Sequence, residues 1–184
     1  MNTTLAYMIV VIVLCLLVVL WMAALYSMLV RASGACDEAW AAVDAERLIR
    51  FELLGKIILL VKSQGDPLRE IHDKSVIARG KAIANDGSPG MVAIDDNAMA
   101  EQMRRLFDAV YAHKVLPAKA EYQELMQMLS ACDERLQRAA RKYNERARDL
   151  NRRCRRFPSR MLAQSFEISL RELYEVQPIQ EGGF

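Results

Sequence analysis

The sequence predicts an all-α protein: an N-terminal transmembrane helix, then a bundle of antiparallel amphipathic helices with a long last helix. Three observations carry this expectation. Residues 1–30 contain no Asp, Glu, Lys or Arg, so all 48 charged residues, 25 basic and 23 acidic, lie in the other 154. Apolar residues in that charged part recur every three or four positions, and nowhere is a strand-like alternation or an internal repeat evident. An apolar leader on a charged piece the size of one ordinary domain excludes a multi-span transporter, a disordered tail and a large multidomain enzyme.

The leader comes first. Leu5–Val30 is an uncharged run of 26 residues, longer than the ~20 that cross a bilayer as a helix. A cleaved signal peptide needs a basic start and a shorter core, whereas Met1-Asn2-Thr3-Thr4 carries no basic side chain. A lipoprotein signal ahead of Cys36 is opposed by Ser33 and Arg31. Tyr7 and Tyr26 suit the two interfaces, while Trp21 sits deeper than a belt residue should. Basic residues near the span (Arg31, Arg47, Arg50) all follow it, which places the body in the cytoplasm and the N-terminus outside. The expected organisation is a stub at 1–4, a span at 5–30, a helical domain at 31–175 and a flexible tail at 176–184. Cysteines agree with a reducing compartment: Cys132 and Cys154 lie on one helix about 33 Å apart and cannot bridge.

Four soluble helices are expected. Over 35–63, Trp40, Val43, Phe51, Leu54, Ile58 and Val61 form one stripe, and Leu53, Ile57 and Leu60 a second line. Asp66-Pro67 reads as the cap and first position of a helix running to about Ala84. Asn85–Gly90 is a loop. A third helix spans about Asp95–Lys114, with Met99, Met103, Leu106, Phe107 and Val110 inward, and Pro117 marks the next break. The fourth runs from about Ala118 to Phe157 with a heptad-like seam: Leu125, Leu129, Cys132, Leu136, Ala140, Tyr143, Ala147, Leu150, Cys154 and Phe157. Three amphipathic neighbours in the same chain favour a bundle core over a dimeric coiled coil. Pro158 ends this helix. A short helix at Met161–Gln164 and another near Leu170–Tyr174 are expected, then fraying from Gln177.

Three stretches resemble the LemA family of bacterial membrane-anchored proteins. They are Tyr26-Ser27-x-Leu29-Val30 with Asp37-Glu38-Ala39-Trp40 and Val43-Asp44; Leu106-Phe107, Leu116, Ala118, Tyr122, Leu125 and Leu129; and Arg141-x-Tyr143-Asn144, Asp149, Asn151 and Phe157-Pro158-Ser159. The likeness covers roughly residues 26–175. The chain departs from the family where Gly55-Lys56 replaces a Pro-Asn pair and His113-Lys114 a Tyr-Pro pair. The resemblance implies an up-and-down antiparallel four-helix bundle. Relatives associated with magnetosome membranes add membrane organisation to the roles it implies.

Candidate functional residues concentrate late in the chain. Residues 135–160 hold eleven basic and two acidic residues, a net of +9, against −7 for the rest. Arg141, Arg148, Arg152, Arg155 and Arg156 are the candidate interaction surface, for an acidic protein or an anionic lipid surface. A simply solvated face is the competing and favoured reading. Nucleic acid is disfavoured because no aromatics are interleaved to stack bases. Asn144 and Asn151, one heptad apart, are candidates for fixing helix register through hydrogen bonds to neighbouring helices. Arg47 invites a local pair with Asp44, or alternatively a buried network between helices. The second apolar line on the first helix leaves a homo-oligomer open. His72 and His113 read as surface histidines. No nucleophile elbow, phosphate loop or metal spacing is present, so no catalytic residue, cofactor or metal is assigned. The expectation is a single-pass inner-membrane adaptor or scaffold, with an exported helical binding module in envelope maintenance as the alternative.

Overall fold

The computed structural model describes residues 2–63, 68–112 and 119–179. Among them the chain is all-helical, with five helices and no strand: α1 (Asn2–Lys62), α2 (Arg69–Ala84), α3 (Pro89–Ala112), α4 (Ala120–Arg155) and α5 (Ser159–Ser165). The apolar leader and the first amphipathic helix are one uninterrupted helix, since nothing between Val30 and Trp40 breaks it. α3 begins six residues before the expected Asp95, because Pro89 takes the first helical position directly after Ser88. The expected breaks at Asp66-Pro67 and Pro117, and His113, lie outside the described residues.

The chain divides into two compact units. The first comprises residues 1–37 and 146–171. Every residue from Leu5 to Ala24 is exposed, and α1 is the one described helix long and apolar enough to cross a membrane. Those twenty bare residues span about 30 Å, the thickness of a bilayer's hydrocarbon core. From Leu25 onward the helix gains a protein partner. Leu29 and Cys36 are buried with Leu150, Cys154, Leu162 and Ala163, and Leu25, Ala32 and Ile168 pack on them. The Tyr26 and Phe166 rings lie 4.4 Å apart.

In the same unit the expected α4 seam stops at Cys154. Phe157 is 81% exposed because the helix has already ended at Arg155. The short helix expected at Met161–Gln164 is α5, but the one near Leu170–Tyr174 is absent and that stretch is extended. The reason is local. Glu167 adopts φ 54°, and the Ile168 N–H donates back to Ala163 O at 2.9 Å, closing α5 with a left-handed cap.

The second unit comprises residues 38–145 and 172–184. From Phe51 onward both apolar lines of α1 enter one core, where Phe51, Leu53, Leu54, Ile57, Ile58 and Val61 meet Met99, Met103, Leu106 and Phe107 of α3 and Tyr122, Leu129 and Cys132 of α4. Gly55 has a packing reason. A Cβ there would stand 3.0 Å from the Arg79 guanidinium, whose Nε donates to Phe51 O at 2.8 Å. The end expected to fray is held as far as it is described: Val176 and Ile179 are buried.

A left-handed non-glycine residue costs about 1–2 kcal/mol, partly offset by the extra freedom glycine has when unfolded. Glu167→Gly is therefore expected to raise stability by about 0.5–1 kcal/mol, read from denaturant unfolding of the full chain in detergent.

Candidate functional site

The most densely bonded region of the second unit is the extended segment 172–179. It has no strand beside it, so its backbone groups find partners on helix side chains. Asn144 of α4 holds Tyr174 at both ends, accepting its N–H at 2.8 Å and donating to its carbonyl at 2.9 Å. Gln137 Nε2 donates to Val176 O, and the Tyr143 hydroxyl to Glu172 O. Asn97 of α3 donates to Glu175 O and accepts the Gln177 N–H. Asp133 accepts the Ile179 N–H at 2.8 Å. From Asp133 to Asn144 is about 16.5 Å of helix, and from Ile179 to Tyr174 about 16.5 Å of extended chain. The segment therefore runs antiparallel to α4 with matched pitch.

Two buried ion pairs lie beneath it. Arg47 donates to Asp96 through Nε (2.7 Å) and to Asp44 (2.7 Å), and reaches the Ala82 carbonyl. Both expected readings of Arg47 are therefore realised, and the network between helices is the buried one. Asp96 also accepts from the Tyr174 hydroxyl at 2.6 Å. Arg50 Nε sits 2.9 Å from Asp133, and its Nη2 donates to Gln177 O. Burial works against the charge on Arg47, but bonding to Asp96 outweighs it and holds the guanidinium protonated. Burial, with the Asp96 carboxylate beside it, pushes the Tyr174 hydroxyl far up, so it stays a donor. Trp40 closes the cluster, its ring 5.2 Å from Tyr143 and 5.4 Å from Tyr174.

Glu172 reaches the opening of α3. Its carboxylate accepts from Ser88 Oγ at 2.5 Å and from the Gly90 N–H at 3.2 Å, where a negative charge suits a helix N-terminus. A Cβ at Gly90 would collide with that carboxylate.

In the first unit Asn151 makes the same two-ended grip on Arg171, accepting its N–H and donating to its carbonyl, both at 2.8 Å. Arg171 also bonds Asp37 at 2.8 Å. The two candidate asparagines thus bond the backbone of an extended segment rather than neighbouring helices. Gln137 lies one heptad before Asn144 and extends the same row of amides, and it is the member that the sequence reading missed. Asp96, three residues before Met99 on the inward stripe of α3, and Arg50, four before Leu54, were missed as well.

The candidate surface arginines are all exposed: Arg148, Arg152, Arg155 and Arg156 in the first unit and Arg141 in the second. Asp149 pairs with Arg152 and Arg153, while Arg148, Arg155 and Arg156 have no ion pair among the described residues. The first unit as a whole holds nine arginines against three carboxylates, a net of +6, leaving −4 on the second. Burial pushes the thiols of Cys36, Cys132 and Cys154 up, so they are protonated at neutral pH. His72 bonds the neighbouring Asp73 carboxylate, but its side chain is 12% exposed and so largely covered rather than at the surface as expected, and no three potential metal ligands converge among the described residues.

The model of the LemA family matches residues 39–182. No individually curated protein matches the chain.

The two acidic partners of Arg47 give a discriminating experiment. Asp96→Ala leaves a buried guanidinium without its main partner and is expected to cost about 3–5 kcal/mol. Asp44→Ala removes a half-exposed partner and should cost under about 1 kcal/mol. Equal losses in denaturant unfolding would mean that the network between helices does not support the fold.

Proposed function

This chain belongs to the LemA family, and we propose that it is a single-pass membrane-anchored helical scaffold whose body is an up-and-down four-helix bundle. The anchor is Leu5–Ala24. The observation supporting it is an unpartnered apolar helix about 30 Å long that runs directly into a folded, arginine-rich unit. A soluble protein rarely leaves so large a contiguous apolar surface uncovered.

The body lies on the cytoplasmic side of the inner membrane. Of the three arginines that first suggest this orientation, Arg47 and Arg50 are buried in ion pairs and only Arg31 is free of one among the described residues. The stronger support comes from Arg146–Arg160, late in the sequence but in the same compact unit as the leader. The exposed stripe Arg148, Arg152 and Arg155, with Arg156 beside it and Arg141 two turns back on α4, is the face offered to an acidic protein or lipid surface. Export of the body, for envelope maintenance, is the competing arrangement.

An alkaline phosphatase fused after Phe184 is expected to be inactive, and a fluorescent protein there bright; the reverse would place the body outside. For the face itself, Arg148→Glu, Arg155→Glu and Arg156→Glu together spare the Asp149 pairs. The triple variant is expected to keep its helical circular dichroism and to lose its neighbours in crosslinking of intact cells. An unchanged crosslinking pattern would reduce the stripe to a solvated surface.

A further inference from the structure

A groove of about 480 Å³ opens on the first unit between α1 and α4, and it lies on a different side of α4 from the exposed stripe. Its α1 wall runs from Ala24 to Ala35 and includes Met28 and Arg31; its α4 wall carries Arg146, Asp149 and Arg153. At ~100° per residue Arg146 and Arg148 point about 160° apart, so the two sets of arginines are separate features.

Three properties define what fits. The first is depth. The fully exposed apolar run ends at Ala24, where the groove starts, and the first charge on α1 is Arg31. The groove thus extends about 16 Å along the axis, from the end of the unbroken exposed run, past the part-exposed Tyr26 and Val30, to just beyond the first charge. The second is charge: three guanidiniums face one carboxylate. Burial pushes Asp149 up, but its bonds to Arg152 and Arg153 prevail and hold it below the ordinary carboxylate range. Its negative charge is therefore already engaged, while Arg31 and Arg146 have no ion pair among the described residues. The third is lining. Ala24 and Met28 give an apolar lower end and the arginines a cationic upper end, with a volume in the range of ordinary ligand sites.

We propose that this groove binds one anionic phospholipid of the phosphatidylglycerol type, its phosphate held by Arg31, Arg146 and Arg153 and the first part of its acyl chain lying along Met28 and Ala24. The assignment rests on the anchored reading above. It names the lipid contact that reading leaves open, and it uses residues outside the exposed stripe. Arginine suits the task because its planar fork meets phosphate oxygens in pairs. A zwitterionic lipid presents the same phosphate with a compensating cation and binds less well.

The test uses the full chain in nanodiscs of phosphatidylcholine containing phosphatidylglycerol, released gently and weighed by native mass spectrometry. The natural chain is expected to retain phosphatidylglycerol in preference to phosphatidylcholine. Arg31→Gln or Arg146→Gln should each lower that preference about fivefold, and Arg31→Gln/Arg146→Gln/Arg153→Gln should abolish it. The corresponding lysine variants should restore most of it, and Lys56→Gln/Lys74→Gln/Arg105→Gln, exposed cations of the second unit, should leave it unchanged. Equal retention of the two lipids by the natural chain, or full phosphatidylglycerol retention by Arg31→Gln, would overturn the proposal. In a second arm with millimolar inorganic phosphate, retained phosphatidylglycerol supports a lipid site, and displacement by phosphate assigns the groove to a soluble anion instead. Carbonate extraction of cell membranes carrying the full chain separates the two readings. A chain that washes out sinks the anchor and the groove together; an embedded chain without lipid preference sinks only the groove.

Discussion

A polar backbone buried without a neighbouring strand has to be satisfied by side chains, and the second unit is organised around that requirement. Segment 172–179 offers carbonyls and N–H groups that Asn97, Asp133, Gln137 and Asn144 take up. The dependence runs both ways. Asp96 and Asp133 are buried charges, and each needs more than its arginine to be fully bonded. The Tyr174 hydroxyl and the Ile179 N–H supply that second bond. Three helices and one extended segment are therefore joined through two carboxylates.

This arrangement explains which parts of the structure could be read from the sequence. Helix periodicity is local and repeats, so the stripes on α1, α3 and α4 were legible residue by residue, down to Met99, Met103 and Leu129 in the core. A strap held by side chains has no comparable period. The alternation of buried Tyr174 and Val176 with exposed Glu175 and Gln177 is four residues long, too short to outweigh the helix-forming Leu170–Tyr174. The asparagines were recognisable as bonded and interior, but their partner was not, because an amide reads a backbone and a backbone has no sequence. Likewise Arg50 reads from the sequence as one more basic residue near the span, because its carboxylate lies 83 positions away.

The first unit shows a different division of labour on one helix surface. The seam residues Leu150 and Cys154 are spent on Leu29 and Cys36 of α1. One neighbouring arc carries Arg146 and Arg153 beside the leader, and the far side carries Arg148 and Arg155. A single run of arginines in the sequence thus separates into two chemically different surfaces only once the helix is wound. A count of charge along the chain cannot make that distinction.

Because the strap is gripped largely by its main chain, a residue such as Glu175, with no side-chain bond among the described residues, is free to drift. Glu175 lends its carbonyl to Asn97 whatever its own identity, whereas Gln177 adds to its backbone bonds a side-chain oxygen that accepts from Arg104. One replacement is barred at defined positions. Arg171, Tyr174, Gln177 and Ile179 each donate an N–H, so an imino acid at any of them would empty an acceptor on the helices. The proline the segment already carries, Pro178, falls between two of these donors, at a site where no hydrogen is required. An evolving lineage could thus respell parts of this strap while the permitted places for that one ring stay fixed by the helices beneath.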